Sequence, residues 1–141
     1  MKRLQINIET DSKFYPEGEK NPRIDGFDEN KDKVVNPDEL VTGEKEIEIV
    51  FDYPLSQEAV LKFKSENGFT RKDFLVAVRD GYRQIYREED EVCGETGSVP
   101  GLLNRDKSNG PHGIWGHVIG DLFFEGYQQV GPAKFTLVIG S

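Results

Sequence analysis

The residues best suited to chemistry gather in one segment, NGPHGIWGHVIGD at 109–121, which holds both histidines, the only tryptophan and four glycines. Glycines let a backbone approach a ligand closely, and imidazole serves as general acid, general base or neutral metal ligand near neutral pH. His117 and Asp121 stand at i and i+4, so a helical turn would put them on one face, with Asp121 orienting the ring. His112, His117 and Asp121 therefore form a candidate nitrogen and oxygen set for a small hydrolase or a metal-dependent enzyme. No diagnostic spacing accompanies them: there is no HExxH, and the two histidines stand at i and i+5. The structural alternative puts Trp115 and Ile114 in the core, uses the glycines for turns and has the histidines cap backbone groups. That alternative is the expected arrangement, because such loops are functional only where several polar groups converge.

A second pattern runs from Asp28 to Glu39, DENKDKVVNPDE, in which seven of twelve residues are Asp, Glu or Asn. Over these residues the chain resembles an EF-hand or dockerin calcium loop, whose pattern is D-x-[DN]-x-[DN]-G-x5-E. The resemblance implies a calcium ion held by Asp28, Asn30, Asp32, the Val34 carbonyl, Asn36 and Glu39, with Glu39 as the bidentate carboxylate. It also implies that Pro37, Asp38 and Glu39 open an exiting helix. Lys33 stands where the family has Gly, and the preceding residues, with Pro16 and Pro22, do not read as an entering helix. A bound ion would order the surrounding chain, which is a structural role. Without one, the segment is a solvated acidic loop.

Other candidates carry less. Cys93 follows an acidic run that gives a thiolate no support, and as the only cysteine it excludes an intrachain disulfide. GETGSVPG has no following Gly-Lys-Ser/Thr, so a P-loop is not supported. Glu88 to Glu91 read as a solvated helix end with no partner to shift a pKa.

The elements that would position these residues follow from periodicity. Leu4, Ile6 and Ile8 alternate as in a strand. Residues 9–45 then form a long acidic surface excursion with three prolines and few apolar residues, supplying most of the net charge. A second strand runs from Glu46 to Tyr53, with Ile47, Ile49 and Phe51 on one face. Ser56 is the expected N-cap of a short helix carrying Ala59, Val60 and Phe63 and stopped by Gly68. Thr70 and Asp73 form a capping box for a longer helix to about Glu89, with Phe74, Val78, Tyr82, Ile85 and Tyr86 facing the sheet. Gly81 inside that helix permits close packing. Two C-terminal strands, about 121–130 and 134–139, are joined at Gly131-Pro132.

The expected fold is α+β: a largely antiparallel sheet of about four strands, two helices on one face, and the acidic excursion between the first two strands. A chain of 141 residues suits a single domain, with 46–141 as its main core. Eighteen basic against 26 acidic side chains give a net charge of −8, with no Lys/Arg run longer than two. Such a surface repels nucleic acid and anionic membranes. No stretch reaches the roughly 20 apolar residues of a membrane span, and no signal-peptide core follows Lys2 and Arg3, so the expected location is the cytoplasm. The functional expectation is a small binding or interaction module with a protein partner or none, and with a loop that is either calcium-ordered or simply acidic surface. The alternative is the enzyme built on residues 109–121.

Overall fold

A computed structural model of the protein describes residues 9–10, 23–28, 30, 34–94 and 104–141. Its strands are β1 (Glu9–Thr10), β2 (Leu40–Thr42), β3 (Glu46–Phe51), β4 (Ala59–Lys64), β5 (Phe69–Thr70), β6 (Phe123–Gly131) and β7 (Lys134–Gly140). One α-helix, α1, spans Arg71–Cys93, and a 3-10 turn covers Ile119–Asp121. The main sheet has the order β1-β6-β7-β3-β4, and β2 pairs with β5 in a second, two-stranded sheet.

The class is α+β, but the expected architecture needs three corrections. First, 59–64 is a strand and not a helix. Ala59, Val60 and Phe63 fit helical spacing, yet Ala59, Leu61 and Phe63 also alternate with Val60, Lys62 and Lys64. In so short a run both periods fit. Pairing decides: β4 lies antiparallel to β3 from Glu46↔Lys64 to Phe51↔Ala59, which satisfies its backbone across the sheet. Gly68, at φ +80°, belongs to the turn into β5, where an added Cβ would lie 2.7 Å from the Thr42 carbonyl oxygen. Second, in place of one antiparallel sheet of about four strands there are two sheets, one two-stranded and one five-stranded, and the larger is mixed because β3 and β7 run parallel. Third, the acidic excursion is not all surface: Ile24 and Phe27 are core residues, and β2 lies within it. Leu4, Ile6 and Ile8 lie outside the described residues, while β1 pairs antiparallel with β6 through Glu9↔Tyr127.

Helix α1 opens as its sequence requires. The Asp73 amide donates to Thr70 Oγ1 and the Thr70 amide donates to Asp73 Oδ2, each at 3.1 Å. Phe74, Val78, Tyr82, Ile85 and Tyr86 are all buried against the sheet residues Ile47, Ile49, Phe51, Phe124 and Phe135. Gly81 lies against the Phe51 ring, where an added Cβ would overlap the ring carbons at 2.9 and 3.0 Å. The same helix ties down irregular chain. Arg79 Nη1 donates to the Phe27 carbonyl at 3.1 Å, Arg83 Nε donates to Asp25 Oδ1 at 2.9 Å, and Arg71 Nε donates to the Val35 carbonyl at 2.9 Å.

Candidate functional site

The acidic end of α1 is solvated at Glu91 but not at Glu89. Glu89 has no exposed surface, and its carboxylate is the hub of the 108–114 segment. Oε2 accepts from Ser108 Oγ at 2.6 Å and from the amides of Gly110 at 2.9 Å and Ile114 at 3.4 Å. Oε1 accepts from the amides of His112 at 2.8 Å and Gly113 at 3.3 Å. Gly110 is required by this approach, since a Cβ there would lie 2.6 Å from Glu89 Oε1. On either side, Glu88 Oε1 meets His112 Nε2 at 2.9 Å, and Asp90 Oδ1 accepts from Arg105 Nη2 at 2.9 Å. Burial pushes the Glu89 carboxyl up, but the donors from Ser108 and from the His112, Gly110 and Ile114 amides outweigh it and hold it below the usual range. The hydrogen bond with His112 is the main cause of a lowered pKa at Glu88.

Sequence periodicity contained a signal for this. Glu89 stands at i+4 from Ile85 and i+7 from Tyr82, on the buried stripe of the helix, so solvation was the wrong expectation for it.

The segment held by Glu89 pairs with residues 54–57. The Ser56 amide donates to the Gly113 carbonyl at 2.8 Å, and the Trp115 amide donates to the Pro54 carbonyl at 3.1 Å. This places the Trp115 ring edge-on to Tyr53, with centroids 5.3 Å apart. Ile114 is fully buried as expected, but Trp115 is 40% exposed and so does not plug the core. Beside the aromatic pair, His117 Nδ1 meets Asp121 Oδ2 at 3.2 Å, which fits their i, i+4 spacing. Asp121 Oδ2 also accepts from Asn104 Nδ2 at 2.8 Å. His117 Nε2 lies 3.1 Å from Ser141 Oγ, which in turn lies 2.8 Å from the Tyr53 hydroxyl.

Two tyrosines of α1 fix this surface from below. Tyr82 donates its hydroxyl to the Tyr53 carbonyl at 2.6 Å, and Tyr86 donates to the His117 carbonyl at 2.9 Å. Burial raises the pKa of both phenols, so both remain protonated donors. The structure thus divides the candidate set of His112, His117 and Asp121. His117 and Asp121 belong together on the exposed aromatic surface, while His112 is taken by Glu88 and buried loop structure. Both histidine rings meet carboxylates and not the backbone groups expected of them. Ser141 and Tyr53 join the site with no sequence signal, because each is brought there by a different strand end. Cys93 is exposed and free.

The 28–39 segment is partly described. Asp28 Oδ1 accepts from the Asn30 amide at 2.8 Å, Val34 packs on the core, and Asn36 takes a left-handed φ of +49°. Glu39 Oε2 lies 3.9 Å from Arg71 Nη1. Asp32 lies outside the described residues. Pro37–Glu39 form a turn into β2 and not an exiting helix, because the Arg71 amide donates to the Glu39 carbonyl and pulls the chain alongside β5. Among the described residues, no three His, Cys, Asp or Glu side chains form a group that could hold a metal. No helix among them is long and apolar enough to cross a membrane. No family model matches the chain, and no curated protein and no solved structure matches it at a significant level.

Proposed function

We propose that the protein is a small acidic binding module whose contact surface is built from Tyr53, Trp115, His117 and Ser141. The observation that carries this reading is the half-exposed Trp115 ring set edge-on against Tyr53 within a rigid frame of hydrogen bonds from α1. Exposed, pre-ordered aromatics such as Trp and Tyr are what protein contact sites use as anchors. The partner is a protein segment that lays an apolar side chain on Trp115 and carries net positive charge, to suit a chain of net charge −8. A free, exposed Cys93 suits action in the reducing cytoplasm. Residues 28–39 act as a calcium-ordered support, a role supported by the oxygen-bearing side chains of Asp28, Asn30, Asn36 and Glu39 at the family's spacing.

The test is selection of binders from a displayed random peptide library, followed by affinity measurement against wild type, Trp115→Ala and the distant surface control Val60→Ala. Binders that lose about tenfold or more with Trp115→Ala and nothing with Val60→Ala support the surface. Binders indifferent to Trp115 place the contact elsewhere.

A further inference from the structure

We propose that Ser141 is a nucleophile activated by His117, and that it takes acyl groups from activated esters with an aromatic leaving group. The inference rests on reading this surface as a contact site and adds a chemistry to it. Three groups stand in line: Asp121 Oδ2 lies 3.2 Å from His117 Nδ1, and His117 Nε2 lies 3.1 Å from Ser141 Oγ. A nucleophile, its base and a third group orienting the base are the parts that acyl transfer needs.

The proton positions follow from the partners. Asp121 is fixed by Asn104 and accepts the Nδ1 proton, which leaves the Nε2 lone pair facing the serine. Ser141 then donates its hydroxyl proton to Nε2, and the Tyr53 hydroxyl donates to Ser141 Oγ at 2.8 Å. The imidazole is held by more than its own ring contacts, because Tyr86 donates to the His117 carbonyl and the His117 amide donates to the Trp115 carbonyl. Tyr53 and Trp115 rings lie 6.0 and 6.3 Å from the imidazole, beside the reacting atoms, where an aryl group can rest.

In the reaction, Ser141 Oγ forms a bond to the ester carbonyl carbon while its proton passes to Nε2. The bond to the aryl oxygen breaks, and the leaving phenolate takes that proton from His117. Water, deprotonated by the same nitrogen, then attacks the acyl-serine; the carboxylic acid leaves and Ser141 recovers its proton. His117 and Ser141 are the catalytic residues, and Asp121 is a positioning residue.

The experiment uses p-nitrophenyl acetate on the full chain in a Cys93→Ala background, so that the exposed thiol does not react. Release of p-nitrophenolate is followed together with intact mass and peptide mapping of the acetylated site. Acetylation at Ser141 that disappears in Ser141→Ala and slows about 100-fold or more in His117→Ala is the expected result. Asp121→Asn should slow acetylation while leaving Trp115-dependent peptide binding intact, which a purely structural role would not separate. Equal acetylation in wild type and Ser141→Ala, or no acetyl-protein under any condition, overturns the proposal. Peptide binding by the wild type keeps the two readings apart: Trp115-dependent binding by a wild type that is not acylated removes only the nucleophile, and acylation without Trp115-dependent binding removes only the contact surface.

Discussion

Glu89 shows how one side chain can fix a loop. Five donors converge on a carboxylate with no exposed surface, three of them within 2.9 Å. Charge-assisted hydrogen bonds contribute roughly 1.5–3 kcal/mol each when a partner is removed, so Glu89→Gln, which keeps the volume and loses the charge, should destabilise by about that amount. Urea melts at pH 7 read this directly. The lowered pKa values of Glu88 and Glu89 give a pH dependence of known sign. Carboxyls that bind protons less tightly when folded stabilise fully above their unfolded value of 4.5, and that stability is lost as pH falls through the folded values. Melting temperature between pH 3 and about 6 should therefore fall toward acid in wild type, and less steeply in Glu89→Gln. At this scale the sequence was readable where periodicity and charge could be weighed together. The buried stripe of α1 reached Glu89, but this carboxylate takes its partners from 19 to 25 residues further along, and spacing does not encode those.

Elements were legible where one period dominated. The capping box of α1 and the two C-terminal strands are where patterning puts them, and the helix runs four residues past its expected end to Cys93. The 59–64 segment was misread because six residues do not distinguish two periods, and the neighbour that decides lies across the sheet. Gly81 belongs to this scale as well. Gly81→Ala would gain about 1 kcal/mol of helix propensity, but its Cβ overlaps the fully buried Phe51 ring, and overpacking costs about 1–3 kcal/mol. The variant should be less stable than wild type, with a lower denaturant midpoint; a higher midpoint would show that the helix can shift from β3. The calcium reading is also tested on an element. Millimolar calcium at 100 times its dissociation constant would add about 2.7 kcal/mol and raise the melting temperature by several degrees relative to EDTA. The shift should vanish in Asp28→Ala, and identical melts in both buffers would leave 28–39 as acidic surface.

At the scale of the molecule, α1 organises the irregular chain. Arg71 holds Val35, Arg79 and Arg83 hold residues 25–27, Tyr82 holds Tyr53, Tyr86 holds His117, and Glu89 holds 108–114. The aromatic surface is thus a product of one helix face, the β3–β4 connection, the segment that carries Trp115 and His117 between α1 and β6, and the end of β7. Sequence reading found His117, Asp121 and Trp115 as neighbours in the chain, and missed Tyr53 and Ser141, which only the sheet order brings near. A net charge of −8 adds a further expectation: association with a basic peptide at the Trp115 surface should slow as salt rises from 0.02 to about 0.5 M, as the Debye length shrinks. A rate independent of salt would separate the surface from the molecule's charge. The central claim is that buried groups of α1 hold this surface in place, and amide hydrogen exchange of Gly110, His112, Gly113 and Ile114 in wild type and Glu89→Gln tests it most directly. These amides should be protected in wild type and should lose protection in the variant while the amides of α1 near Val78 keep theirs. Exchange at free-peptide rates in wild type, or equal protection in both proteins, would contradict it.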